Sequence, residues 1–161
     1  MKKTIWRKLS ASVIKLFLPA VLLLVVAFVT ASVWLVNMAA VPPHAAYLVT
    51  PEQLQKFTKS GSKITDESWS NKDSTKARGW LLRGNENAPA VILLHRYGAD
   101  RSWLLGFGSK LNQESNFTVL IPDLRGHGDK PLVNATTFGS LEADDLSSAI
   151  VYLRGLKTEA G

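Results

Sequence analysis

Two short segments of this 161-residue chain gather side chains with chemical potential. The first is His95-Arg96-Tyr97-Gly98-Ala99-Asp100-Arg101-Ser102, and the second is Pro122-Asp123-Leu124-Arg125-Gly126-His127-Gly128-Asp129. Each combines an imidazole, a guanidinium, at least one carboxylate and glycine. Imidazole is the usual acid–base group near neutral pH, and a guanidinium such as that of Arg96 offers fixed charge to an anionic substrate or stays in solvent. The absence of cysteine excludes a disulfide framework, zinc–thiolate and iron–sulfur sites, and a Cys nucleophile. Neither a P-loop nor G-x-G-x-x-G is present, which leaves a nucleotide-binding role little support.

The elements that must position these loops are legible around them. Residues 90–95 (AVILLH) are continuously apolar, as a strand buried on both faces should be. The first loop leads from this strand into a helix over residues 102–113, with Asp100 or Ser102 as cap. Trp103, Leu104, Phe107 and Leu111 are spaced to form its apolar face. Gly106 and Gly108 each weaken that helix by about 1 kcal/mol relative to Ala, which predicts close packing on a sheet. Residues 117–121 (FTVLI) predict the next buried strand, ending at the second loop. A helix over 141–156 has Leu146, Ala149, Ile150 and Leu153 as its stripe. Glu142, Asp144 and Asp145 at its start and Arg154 and Lys157 at its end match the macrodipole.

Upstream, residues 75–82 predict a strand after the turn Ser70-Asn71-Lys72-Asp73, with residues 63–69 as its hairpin partner. Thr50-Pro51-Glu52-Gln53 reads as a capping-box start of a short helix, with Leu54 and Phe57 on one face and Gly61 as its stop. Strands alternating with helices predict an α/β domain with a parallel sheet. Both loops then lie at strand carboxyl ends, where open α/β sheets place ligands.

The net charge of +6 invites a nucleic-acid reading until the charge is located. Lys2, Lys3, Arg7, Lys8 and Lys15 precede any acidic residue, whereas residues 16–161 hold 14 Lys/Arg against 13 Asp/Glu. The folded part has no basic excess, and no nucleic-acid partner is expected. Residues 16–36 form an uncharged run of 21. As a helix it is about 32 Å long, enough to cross a hydrocarbon core of about 30 Å. Pro19 falls near its start, where a missing N–H costs least, and Trp6 and Trp34 lie near its two ends. Cations on the N-terminal flank alone place that end in the cytoplasm and residues 37–161 outside it, at the cell (inner) membrane.

A cleaved signal peptide is the alternative, but its best site, Val29-Thr30-Ala31, lies inside a run longer than the usual apolar core. An uncleaved signal anchor fits better. The expected organisation is a basic cytoplasmic tail (1–15), a transmembrane helix (16–36), a linker (37–49) and a domain (50–161), with the lipid bilayer as partner. Pro42-Pro43 stiffens the exit, and His44 beside it is read as solvated. The triplets Asn116-Phe117-Thr118 and Asn134-Ala135-Thr136 match a glycosylation pattern that arises often by chance.

With loops and elements in this order, the chain resembles the α/β-hydrolase superfamily in its bacterial esterase- and peptidase-like branches. The resemblance covers about residues 60–157. It rests on VILLHRYG and VLIPDLRGHGDK, about 30 residues apart, on Gly79-Trp80 before them and on Asp144-Asp145-Leu146 after them. It implies a membrane-anchored hydrolase acting on a small acyl ester, thioester or amide, without cofactor or metal. It implies an oxyanion-hole donor at the backbone N–H of Tyr97, in the loop with His95, Arg96 and Gly98. It also implies that Asp123, Arg125, Gly126, His127 and Gly128 form a structural loop and that neither His127 nor His95 is the base.

Arg96 departs from the pattern, standing where the family has a glycine that tolerates unusual backbone angles. The family's Ser nucleophile lies in a G-x-S-x-G elbow on the following strand, with Asp or Glu and then His further on. No G-x-S-x-G occurs in this chain, so no catalytic residue is identified within it. The fold expected is the N-terminal half of an α/β-hydrolase sheet, mostly parallel, preceded by one transmembrane helix. The chain then reads as a fragment of an active hydrolase, a truncated product or a member with a degenerate later part. A non-catalytic membrane-tethered scaffold is the alternative to an enzyme. Half a sheet of this kind predicts an open edge and exposed apolar surface.

Overall fold

The computed structural model describes residues 2–43, 46–57, 63–86 and 88–159. The chain divides into two compact units, Met1–Ala39 and Ala40–Gly161. His44 and Gly61 lie outside the described residues.

The first unit is built on helix α1, Lys2–Ala40. Its sequence contains no glycine, and Thr30 and Ser32 return their hydroxyls to the carbonyls of Val26 and Phe28 one turn back. That satisfies both polar groups within the helix. The stretch Phe17–Ala40 is long and apolar enough to cross a membrane, by length and composition. The helix starts before the apolar run, so Pro19 lies inside α1 and not in its first turn. There it removes one backbone hydrogen bond from the ladder.

In the second unit, helix α2 (Pro51–Phe57) starts at the expected capping box. The Thr50 N–H donates to Gln53 Oε1 at 2.9 Å, and the Gln53 N–H donates to Thr50 Oγ1 at 3.4 Å. Strands β1 (Ile64–Ser70) and β2 (Lys76–Leu82) form the predicted hairpin. Strand β3 (Ala90–Ile92), helix α3 (Ser102–Ser115) and strand β4 (Thr118–Pro122) form a parallel crossover, and helix α4 (Ser140–Glu159) follows. The left-handed Asn116, at φ 55° and ψ 23°, ends α3 and turns the chain into β4.

The sheet order is β1-β2-β4-β3, with β1–β2 and β2–β4 antiparallel and β3–β4 parallel. These four strands therefore make a mixed sheet and not a mostly parallel one. A tight turn between β1 and β2 permits only an antiparallel pair, and only the β3–β4 connection has a helix long enough for a parallel crossover. β4 is the strand buried on both faces. Leu120 packs with Leu81, Trp69, Ala149 and Leu153 under α4, while Val119 and Ile121 pack with Trp80, Leu82 and Leu105 under α3. β3, expected to be buried on both faces, is an end strand with Ala90 exposed and Val91 and Ile92 half-buried.

Helix α3 turns only part of the predicted face to the sheet: Leu104 and Leu111 pack against the Leu105–Val119–Ile121 core. Leu105, Gly108, Ser109 and Asn112 are buried, whereas Trp103 and Phe107 are more than half exposed. A Cβ on Gly108 would lie 2.8 Å from Ile121 Cδ1, so a larger residue there would have to displace side-chain ends of the sheet, while Gly106 faces open space. Asn112 Nδ2 donates to the carbonyls of Arg83 and Phe117 at 3.0 and 2.8 Å, satisfying backbone at the strand ends.

Described residues at the start of the second unit pack on the rest of it. The Ala40 carbonyl accepts from the Thr136 N–H at 2.8 Å, Pro42 is fully buried, and Tyr47 and Val49 pack against the α3-side core.

Candidate functional site

The two loops that follow β3 and β4 meet through their histidines. The backbone N–H of Leu124 donates to His95 Nε2 at 3.0 Å, and that of Gly98 donates to His127 Nε2 at 3.1 Å. A backbone N–H is only a donor, so both Nε2 atoms are acceptors and the ring protons sit on Nδ1. Those protons are directed to the carbonyls of Arg96 and Arg125, at 2.9 and 2.8 Å. Each histidine thus pins the other loop's backbone. The rings pack edge to face at 5.2 Å. Burial pushes the His95 imidazole below its usual pKa, the nearby carbonyl of Arg96 acting in the opposite direction. Both rings spend both nitrogens on the scaffold, which leaves neither set up as a general base.

Between these pins, residues 96–99 form a turn closed by the Ala99 N–H on the Arg96 carbonyl at 3.1 Å. Gly98 has φ +71°, while Tyr97 is absent from the left-handed region, as in a type II turn. The position whose backbone favours glycine is therefore Gly98, and Arg96 fits the loop without left-handed strain. The Arg96 guanidinium lies over the Trp103 ring at 5.2 Å. Tyr97, the candidate oxyanion donor through its backbone N–H, carries an exposed side chain packed on His127 and Phe138.

Beneath the loops lies a buried ion network. Arg101 is 2% exposed and lies against the rings of both Tyr47 and Trp80, 4.9 and 4.5 Å from their centroids. Its guanidinium reaches Asp123 at 3.2 Å and Asp66 at 2.8 Å. The Tyr47 hydroxyl donates to Asp123 Oδ2 at 2.6 Å and accepts from Arg101 Nε at 3.1 Å. The Arg101 N–H adds a bond to Asp123 Oδ1 at 3.1 Å. Burial, and then the bond to Asp123, push the Tyr47 phenol up to about 12. Asp123 thus ties the second loop to the foot of the first.

Arg125 ties the second loop in the other direction. Nε and Nη2 bind both oxygens of Asp145 on α4 at 2.9 and 2.8 Å, and Nη2 also reaches Asp73 in the hairpin turn at 2.8 Å. This two-pronged geometry is what a planar guanidinium supplies and a lysine does not. Gly126 and Gly128 have φ +76° and +96°. A Cβ on Gly126 would lie 2.8 Å from the backbone of Ala135 and Thr136, so glycine is required there by conformation and by space.

A cleft lies on the α4 side of the sheet, under the second loop. Trp69, Leu94, Leu124, His127, Leu132 and Leu146 are among its walls, and no residue of 95–98 lines it. Sequence reasoning located both loops but missed Tyr47 and Arg101 as partners of Asp123. No local spacing signals a tyrosine 76 positions away from its acceptor. Among the described residues, no cluster of three His, Asp or Glu side chains is gathered to hold a metal.

No protein-family model matches the chain. It is similar to the esterase Pf2001 of Pyrococcus furiosus in two crystal forms. In one the identity is 26% over 73% of this chain and 42% of that protein, with a TM-score of 0.59. In the other the identity is 27% over 71% and 43%, with a TM-score of 0.56. The second unit is an α/β-hydrolase-like domain. In sequence it is also similar to a thiohydrolase, aneE, of Aspergillus aculeatus, at 26% identity over 92 residues, 55% of this chain and 29% of that one. The chain spans well under half the length of each of these proteins. The hydrolase-like domain thus presents its paired loops at the carboxyl ends of β3 and β4, on a foundation formed by Arg101, Asp123 and Arg125.

Proposed function

We propose that the chain is the anchor and first part of a membrane-bound serine hydrolase that cleaves an acyl ester, thioester or amide. Helix α1 is a single span with its basic flank in the cytoplasm and the hydrolase-like domain on the other side. The backbone N–H of Tyr97 stabilises the oxyanion of the tetrahedral intermediate, and Gly98, His127, His95 and Leu124 hold that N–H in place. The nucleophile is a serine outside these 161 residues, since the chain has no G-x-S-x-G elbow. The observation that carries this reading is the reciprocal pinning of the two loops at the ends of a parallel strand pair, in a domain similar to an esterase.

The test is fluorophosphonate labelling of the protein made from its complete reading frame, in membranes. The proposal expects one labelled serine, and labelling abolished by its substitution with alanine. A protein that inserts in membranes but takes up no probe and hydrolyses no activated ester supports the second reading, a tethered scaffold without catalysis.

A further inference from the structure

Phe138 is a phenylalanine at φ +53° whose ring is 65% exposed. A bulky residue in the left-handed region is strained, and an exposed aromatic regains little of that by burial. The strain is held by the loop around it. The Phe138 N–H donates to Thr136 Oγ1 at 3.2 Å, and Glu142 accepts from Thr136, Thr137 and Gly139. Phe138 stacks on Tyr97 at 5.8 Å and 22° between ring planes, and Tyr97 is itself 47% exposed. The segment that presents Phe138 is hydrogen-bonded to Ala40, through the Thr136 N–H. Ala40 is the last residue of the apolar stretch Phe17–Ala40, and Val41 beside it is 42% exposed.

We propose that Val41, Tyr97 and Phe138 form a docking surface for the bilayer interface. The inference rests on the reading of α1 as a membrane span. A span that ends at Ala40 places that residue near the boundary of hydrocarbon and headgroups. Phe138 lies two residues beyond Thr136, within about 7 Å of chain from it, and the headgroup layer is about 5–8 Å deep on each side. Tyrosine favours that level, and phenylalanine inserts at the headgroup–acyl boundary from surface-bound segments. Continuity with the end of the span makes lipid, and not a protein partner, the occupant.

The cysteine-free chain allows a direct test. Single cysteines are placed by Phe138→Cys, Val41→Cys, Val25→Cys in mid-span and Glu114→Cys at the opposite end of the sheet, and each is labelled with an environment-sensitive fluorophore. The full chain is reconstituted in phosphatidylcholine–phosphatidylglycerol vesicles. The surface predicts blue-shifted emission at positions 138 and 41, with several-fold stronger quenching by shallow doxyl lipids than at 114. It also predicts that Phe138→Asp lowers quenching at position 41. If position 25 is quenched by deep doxyl lipids while 138 matches 114, the span stands and the docking surface falls. If position 25 is not quenched, the anchor reading fails and the inference fails with it.

Discussion

In the loop after β4, the side chains of Asp123 and Arg125 are each 5% exposed and His127 is buried, and all three are bonded to other elements. In the loop after β3, Arg96, Tyr97 and Gly98 are exposed, while His95 before them and Ala99, Asp100, Arg101 and Ser102 after them are buried. Both loops leave neighbouring parallel strands at the same end of the sheet. One is a fixed frame, and the other is a short exposed turn clamped at both ends. A turn of this kind presents backbone in a set place because its neighbours, and not its own side chains, hold it. That is how an oxyanion donor is best supplied, since the donor must already be oriented when charge develops.

The largest effect is expected where the two loops share a foundation. Arg101→Ala leaves Asp123 buried against Tyr47 with its nearer cation gone and only Arg78, at 3.8 Å, remaining. Losing one partner of a buried ion pair costs roughly 3–5 kcal/mol, and denaturant unfolding of the domain should show a loss of that size. A loss below about 1 kcal/mol would mean that the loops are held independently. Next, the two glycines should separate frame from turn. Gly126→Ala combines a left-handed backbone with a 2.8 Å clash against Ala135, for about 2–3 kcal/mol. Gly98→Ala has the conformational cost alone, about 1 kcal/mol, because nothing lies within 4 Å of its added methyl. Equal losses at the two positions would erase the distinction.

A smaller effect concerns the segment that carries Phe138. Burial opposes ionisation of Glu142, but hydrogen bonds from the Thr136 and Thr137 hydroxyls and the Thr137 N–H outweigh it and hold the carboxyl down to about 2. A folded pKa below the unfolded value gives stability that is present above about pH 4.5 and is lost as pH falls through about 2. Its size should be roughly 1–2 kcal/mol after solvent screening. The difference in unfolding free energy between the natural chain and Glu142→Gln should therefore shrink on acidification through this window. A difference independent of pH would remove the carboxylate from the account.

Much of this frame was legible in the sequence, because alternation, turn residues and caps act locally. The β1–β2 hairpin, the capping box of Thr50 and Gln53 and helices α3 and α4 all follow from such signals. The packed face of α3 does so only in part. Spacing picks out Leu104 and Leu111, which pack, and Trp103 and Phe107, which are exposed, while the small and polar Gly108, Ser109 and Asn112 face the sheet without any apolar signal. The position of β3 was illegible for a related reason. An apolar run reports burial in general and not which neighbours supply it, and here β4 is the neighbour found on one side. The loops were recognisable as motifs. Their foundation was not, because Tyr47, Arg101 and Asp123 belong to three separate segments and meet only after the sheet forms. The partners of Ala40 and Tyr47 were hidden likewise, since Thr136 and Trp80 are remote from them in sequence.

The central claim is that His95 and His127 are structural pins that lock an exposed turn to a buried frame. The chain has three histidines, so long-range nitrogen–proton correlation spectra of the imidazoles resolve them directly. With His44→Gln simplifying the spectrum, the account predicts at neutral pH that both remaining rings carry their proton on Nδ1, with Nε2 unprotonated and accepting from Gly98 and Leu124. A ring protonated at Nε2, or rapid exchange between tautomers at either position, would contradict it.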